Sequence, residues 1–231
     1  MPVIASLLAS PCISDAMTEP DMMLVLARHG RTAWNRAGRY QGRSDPPLSA
    51  EGRSDAIALA ARLAGTKIAT IVASPLQRAG ETAAIVAERL GIDRVRVDSR
   101  LAEIAYGTWE GFTQAEVKAR WPDDLRRWKR TPDAMRFPGG ETLAEARARL
   151  LQALADLAAG EAALRGSGAV LVVTHGGLIR LALIEARRLD IQRFRDIPVE
   201  PCAFHRLALC RGDGVVPSLR ETLEDFLCVS S

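Results

Sequence analysis

The chain lacks most of what would carry it into a membrane or onto nucleic acid. No apolar run approaches the ~20 residues that a membrane-spanning helix needs. Its 31 basic and 28 acidic residues leave a net charge of +3, drawn mainly from arginines that are scattered rather than gathered into a block. A nucleic-acid partner is therefore not expected, and a modest attraction for small anions is the milder inference. The four cysteines, Cys12, Cys202, Cys210 and Cys228, form no C-x-x-C pair and show no metal-ligand spacing. Cys202 and Cys210 fall on what reads as one late strand, on one face and too far apart to bond. All four read as reduced thiols of a cytoplasmic protein. Internal repeats and low-complexity tracts are absent, and histidine occurs only three times in 231 residues.

What is present is an ordinary globular composition, 48% hydrophobic and 26% charged. The length suits one large α/β domain or at most two small ones. Residues 1–21 are apolar and rich in small side chains but have no basic leading segment. They read as a disordered extension, or as an overlong start with Met17, Met22 and Met23 as alternative beginnings, rather than a secretory signal. Residues 22–231 read as a single domain.

Short apolar runs alternate with helical periodicity, which predicts a three-layer α/β sandwich: a mostly parallel central sheet with helices on both faces. Strands are expected at Met22–Ala27, Thr70–Ala73, Val95–Val97, Ala169–Val173 and Ala203–Cys210. Ser49 should cap a helix whose buried face is Ile57, Ala60, Ala61 and Ala64, stopped by Gly65. Ser74-Pro75 should cap the next, which ends at Gly91. A long helix is expected up to about Leu164, with Leu143, Ala146, Leu150, Leu154 and Leu157 on one stripe, and a later one over Leu178–Leu189. Residues 105–140, rich in tryptophan, phenylalanine and proline, read as a cap-like excursion with one or two short helices.

The chemistry gathers at strand ends. The first strand runs into Arg28-His29-Gly30, and the strand before Thr174 runs into His175-Gly176-Gly177. Two of the three histidines thus stand at matching strand ends, each followed by glycine. The second strand ends in a polar turn that carries Arg78 to the same rim, where open α/β sheets bind their ligands. Arginine is a planar, permanently charged fork that matches phosphate oxygens, and a neutral imidazole nitrogen can attack phosphorus. With that much positive charge no metal or cofactor is required.

These residues resemble the histidine phosphatase superfamily, which includes the cofactor-dependent phosphoglycerate mutases. The resemblance runs from Leu24 to Cys210 and rests on Arg28-His29-Gly30-Arg31-Thr32-Ala33-Trp34-Asn35, on Leu101 to Gly111, and on the His175 turn. It implies that His29 is the nucleophile, that Arg28, Arg78 and His175 complete the phosphate pocket with Gly176, and that Glu103 is the proton donor, with Glu110 and Glu116 as nearby competitors. The tautomer of His29 should be held by a backbone carbonyl of the following loop. Asn35 and Gln41 are candidate substrate contacts. Arg31, Arg39 and Arg43 either meet a second anionic group of the substrate or form a solvated loop. Arg31 stands where the family often has an acidic residue. His205 reads as an ordinary strand residue and Glu141 as a carboxylate at a helix start. The aromatic cluster either shapes a substrate cap or fills the core.

The implied function is a metal-independent phosphomonoesterase acting on a small phosphorylated molecule through phosphohistidine, as a monomer or homodimer. The segment between Glu103 and His175 looks shorter than the mutase insertion, and the Thr174–Arg180 turn resembles the phosphatase branch. A phosphoglycerate mutase-type transfer and a non-catalytic phospholigand-binding module are the alternatives.

Overall fold

The computed structural model describes residues 22–160, 168–210 and 218–221. The extension at 1–21, the far end of the long helix at Leu164, and Cys12 and Cys228 lie outside the described residues. Six strands form one sheet: β1 (Met22–Arg28), β2 (Ile68–Ala73), β3 (Val95–Val97), β4 (Ala169–Thr174), β5 (Phe204–Cys210) and β6 (Ser218–Glu221). Their order is β3-β2-β4-β1-β5-β6. β1, β2, β3 and β4 pair in parallel, and β5 runs antiparallel to both β1 and β6.

The central strands read as unbroken apolar runs because both of their faces are covered. Val25, Ala27, Ile71, Ala73, Leu171 and Val173 face α2 (Ala50–Leu63), which follows the one-turn α1 (Ala33–Arg36), and α3 (Gln77–Leu90). Leu24, Leu26, Val72, Val170 and Val172 face the opposite layer, built from α6 (Leu143–Gly160), α7 (Gly176–Ala186) and the 105–140 excursion. Each fully buried leucine or valine in these runs contributes about 1.5–3 kcal/mol through its removal from water. The expected stripe on α6, Leu143, Ala146, Leu150, Leu154 and Leu157, is buried throughout.

Three local expectations are corrected. Ser49 does cap α2, accepting the Gly52 N–H, but the buried face is Gly52, Ala56, Leu59, Ala60 and Leu63. Ile57 is 41% exposed. The rotation is set by Gly52, whose bare Cα packs against the Arg31 backbone too closely for any side chain. α3 starts at Gln77, not at Ser74-Pro75, and has no side-chain cap. The Ser74 hydroxyl is engaged with the Leu76 N–H and with His175 instead. Cys202 lies in the turn before β5 with φ of 55°, so it does not share a strand with Cys210. Both thiols are free and buried.

The excursion contains α4 (Gln114–Arg120) and α5 (Pro122–Arg130) with 3₁₀ turns at Gly107–Trp109 and Pro132–Ala134. Core filling accounts for Trp109, Trp128 and Phe137, all buried, with edge-on or tilted ring contacts at 4.9–5.2 Å around Phe137. No helix among the described residues is long and apolar enough to cross a membrane.

Candidate active site

Register places the site. Arg28 lies opposite Thr174 across the β1–β4 pair, and Ala73 opposite Val173 across β2–β4. β1 and β4 therefore end level and β2 one residue earlier, and His29, His175 and Ser74 are the residues that step off these ends. The ladder continues for one more bond at two of these ends, with His29 N–H on Thr174 O and Ser74 N–H on Val173 O, each at 3.0 Å. The two imidazole centroids stand 5.1 Å apart.

His29 is buried, and its Nδ1 lies 2.7 Å from the carbonyl oxygen of Gly30. That contact makes Nδ1 the protonated nitrogen. The lone pair is left on Nε2, which accepts a hydrogen bond from Arg78 Nε at 3.2 Å. Burial first, then the Arg28 and Arg78 charges, holds the His29 pKa well below the ordinary imidazole value. Burial first, then the charges of Arg78 and Arg28, acts on His175 in the same direction. Both rings are neutral at physiological pH. His175 Nε2 meets Ser74 Oγ at 2.7 Å, while its Nδ1 is buried without a protein partner.

The two arginines divide their donors differently. Arg78, from the first turn of α3, is fully buried and donates through Nη1 and Nη2 to Ser44 O and Gly42 O, both at 2.8 Å. Arg28 donates through Nη1 to Val199 O at 2.5 Å, and its Nε is buried and unpartnered. Burial lowers both guanidinium pKa values, with the Glu103 carboxylate opposing the shift in each. Both stay charged. A Cβ on Gly176 would stand 3.6 Å from Arg28 Nε, so this glycine borders the free edge of the guanidinium.

Glu103 is 8% exposed and accepts from the Ile104 N–H at 2.9 Å and the Gly177 N–H at 3.2 Å. Its competitors are occupied elsewhere. Glu110 accepts from the backbone N–H groups of Arg43, Ser44 and Tyr106 and from the Ser44 hydroxyl, tying the excursion to the loop that receives Arg78. Glu116 closes the capping box of α4 and pairs with Arg39.

The structure thus brings Arg28, His29, Arg78, Glu103, His175 and Gly176 to one point. Asn35 and Gln41 each place a side-chain oxygen 3.1 Å from the Thr32 hydroxyl. Asn35, Arg31, Glu51 and Glu200 line a cleft of about 450 Å³ that opens beside Arg28. Arg31 and Arg43 turn to carboxylates, Arg31 bidentate on Asp55 and Arg43 3.6 Å from Glu141. Sequence reasoning missed Ser74 and Thr82 as supports: Thr82 Oγ1 accepts the Gly30 N–H and is held in turn by Arg78 O. A hydroxyl one turn after Arg78 on α3 was the available signal.

The chain belongs to the histidine phosphatase superfamily (branch 1), which it matches over residues 24–222. It is 41% identical over 121 residues to phosphoserine phosphatase 1 of Hydrogenobacter thermophilus; the match covers 52% of this chain and 57% of that relative. It is 32% identical over 183 residues to a 2,3-bisphosphoglycerate-dependent phosphoglycerate mutase of Gloeobacter violaceus, covering 78% of this chain and 82% of the mutase. Among solved structures, mycobacterial glucosyl-3-phosphoglycerate phosphatase in complex with VO3 superposes with a TM-score of 0.77 at 33% identity, covering 87% of this chain and 98% of that one. The expected superfamily and α/β architecture both hold.

Proposed function

We propose that the chain is a phosphomonoesterase that hydrolyses a small-molecule phosphate ester through a phosphohistidine on His29. One observation carries the reading. The unprotonated Nε2 of a neutral imidazole stands beside fixed cationic donors, of which Arg28 Nε is buried with no protein acceptor; His175 Nδ1 is also buried without a partner, and it is a donor in the tautomer whose Nε2 accepts from the Ser74 hydroxyl. Buried unsatisfied donors are costly, and a phosphoryl dianion offers the acceptors they lack. The arriving phosphate also offers Arg78 Nε a charged acceptor in place of His29, which frees the nucleophile's lone pair.

In the first step Nε2 attacks phosphorus, the P–O ester bond breaks, and protonated Glu103 delivers its proton to the leaving oxygen. Arg28, Arg78 and His175 balance the charge on the equatorial oxygens. Loss of one such donor typically costs on the order of 10²–10³ in rate. In the second step Glu103 takes a proton from water, which attacks phosphorus. The P–N bond breaks, inorganic phosphate leaves, and His29 returns to its neutral form. The described residues hold no cluster of three or more His, Cys, Asp or Glu side chains suited to a metal, and the proposed chemistry uses none.

The leaving group extends into the cleft beside Arg28, with Asn35 as a contact. Residues 22–231 act as one domain in this reading, and 105–140 walls the site, a role supported by the Glu110 latch. A cytoplasmic location is supported by the free thiols of Cys202 and Cys210. The test is phosphoenzyme trapping with a panel of phosphate esters. An acid-labile phosphoenzyme should form on the wild type and not on His29→Ala, which should not turn over. Turnover retained by His29→Ala would refute the mechanism. Isomerisation of 3-phosphoglycerate in the presence of 2,3-bisphosphoglycerate, with little phosphate release, would replace the hydrolase by a mutase.

A further inference from the structure

Glu103 does not lie on a helix or strand. It sits between the 3₁₀ turns at Ser99–Leu101 and Gly107–Trp109, where no ladder satisfies the main chain. Backbone carbonyls in such a segment need other partners. One side chain supplies three of them. Arg149, on α6, donates through Nη1 to Arg100 O and Ala102 O at 2.5 and 2.6 Å and through Nη2 to Glu103 O at 3.1 Å. Its remaining edge grips Glu141, with Nη2 2.7 Å from Oε1 and Nε 3.1 Å from Oε2. Glu141 Oε1 in turn accepts the Ala105 N–H at 2.8 Å. Both side chains are largely enclosed, 16% and 15% exposed.

We propose that Arg149, locked by Glu141, is the positioning residue for Glu103, setting where its carboxyl meets the leaving oxygen. The inference rests on the reading of Glu103 as the proton donor. The segment is gripped on both sides of that residue: by three carbonyls up to and including its own, and by the amide two residues beyond. What remains free is the side chain, and its two oxygens rest on the Ile104 and Gly177 N–H groups. A lysine could not replace Arg149, because three carbonyls and a carboxylate call for the several directed donors of a planar fork. A misplacement of about 1 Å at a reacting group costs on the order of 10²-fold. The arginine therefore touches no substrate and yet controls proton transfer.

The experiment compares kcat/KM on a simple alkyl phosphate and on p-nitrophenyl phosphate for wild type, Arg149→Met, Glu141→Gln, Glu103→Gln and the Arg149→Met/Glu103→Gln double variant. kcat/KM reports events only up to release of the alcohol, so the later water step does not enter. Arg149→Met should lower the alkyl value by ~10–100-fold while p-nitrophenyl phosphate, whose leaving group needs no proton, changes by less than about 3-fold. The double variant should be no worse on alkyl phosphate than Glu103→Gln, the mark of two residues acting through one step. Glu141→Gln keeps an acceptor for Ala105 but loses the charge that locks Arg149, so it should show the same bias more weakly. It carries the test if Arg149→Met does not fold. Equal losses on both substrates, or losses that multiply in the double variant, would overturn the inference and leave Arg149 a general stabiliser. If Glu103→Gln itself shows no leaving-group bias, the assignment of the acid has failed and the inference falls with it.

Discussion

Gly177→Ala tests Glu103 as the proposed proton donor with the least disturbance to the fold. Gly177 lies in the first turn of α7, and its φ is not in the left-handed region, so alanine suits its backbone. In a helix that exchange is worth roughly 0.5–1 kcal/mol in favour of alanine. The space is another matter. A Cβ at this position would stand 2.7 Å from Ile104 Cδ1 and closer still to Glu103 Oε1. Both atoms are far ends of side chains and can yield, so the cost in stability should be within about 1 kcal/mol. The carboxylate must retreat by roughly 1 Å, a displacement that costs on the order of 10²-fold where geometry governs the step. The expected outcome is a melting temperature near that of the wild type, a large fall in kcat/KM for alkyl phosphates, and little change for p-nitrophenyl phosphate. Thermal unfolding and the two-substrate assay read these directly. Undiminished alkyl phosphate turnover in a folded Gly177→Ala protein would show that Glu103 does not donate the proton from this position.

Two further perturbations address the site's framework. The pKa values of His29 and His175 are held well below the ordinary value, so below pH ~6.5 the unfolded chain binds protons that the folded chain refuses, and stability falls by about 1.4 kcal/mol per pH unit for each histidine. Urea unfolding at pH 7.5 and 5.5 should show the decline, shallower in His175→Asn, and equal slopes in the two proteins would refute it. Gly30→Ala places a Cβ 3.0 Å from the Gly52 carbonyl carbon and closer to its oxygen. Backbone must move, so stability should fall by ~1–3 kcal/mol and turnover with it, because the Gly30 carbonyl sets the His29 tautomer; an unchanged melting temperature would refute the tight approach.

The rim of the sheet was legible because the strands that carry it are buried on both faces. Leu24, Val170, Leu171, Val172 and Val173 are all fully buried, and such runs stand out without any knowledge of their neighbours. Once four of them are parallel, the residues just after their ends have one place to go. The tautomer of His29 was legible too, since a loop that turns directly after the ring leaves a backbone carbonyl beside Nδ1. The rotation of α2 was not legible. Its alanine-rich pattern fits more than one face, and the choice is made by Gly52 against Arg31. The same is true of Glu110 and Arg149, whose partners lie tens of residues away in the chain.

Residue type was readable in both arginines of the pocket, but the division of their donors was not, and that division decides what each can do. Arg78 spends both terminal nitrogens on Gly42 and Ser44, so its position is fixed before any ligand arrives and only Nε faces His29. Arg28 is anchored at one terminal nitrogen by Val199 and keeps Nε unfilled. Donors held in place by backbone carbonyls need no reorganisation when charge develops on a phosphoryl group, which is where such sites gain most of their rate. The loops that supply those carbonyls, at 42–44 and at Val199, therefore belong to the proposed catalytic design as much as the arginines do. Nothing in the composition of either loop marks it, because what each contributes is a main-chain oxygen that any residue carries.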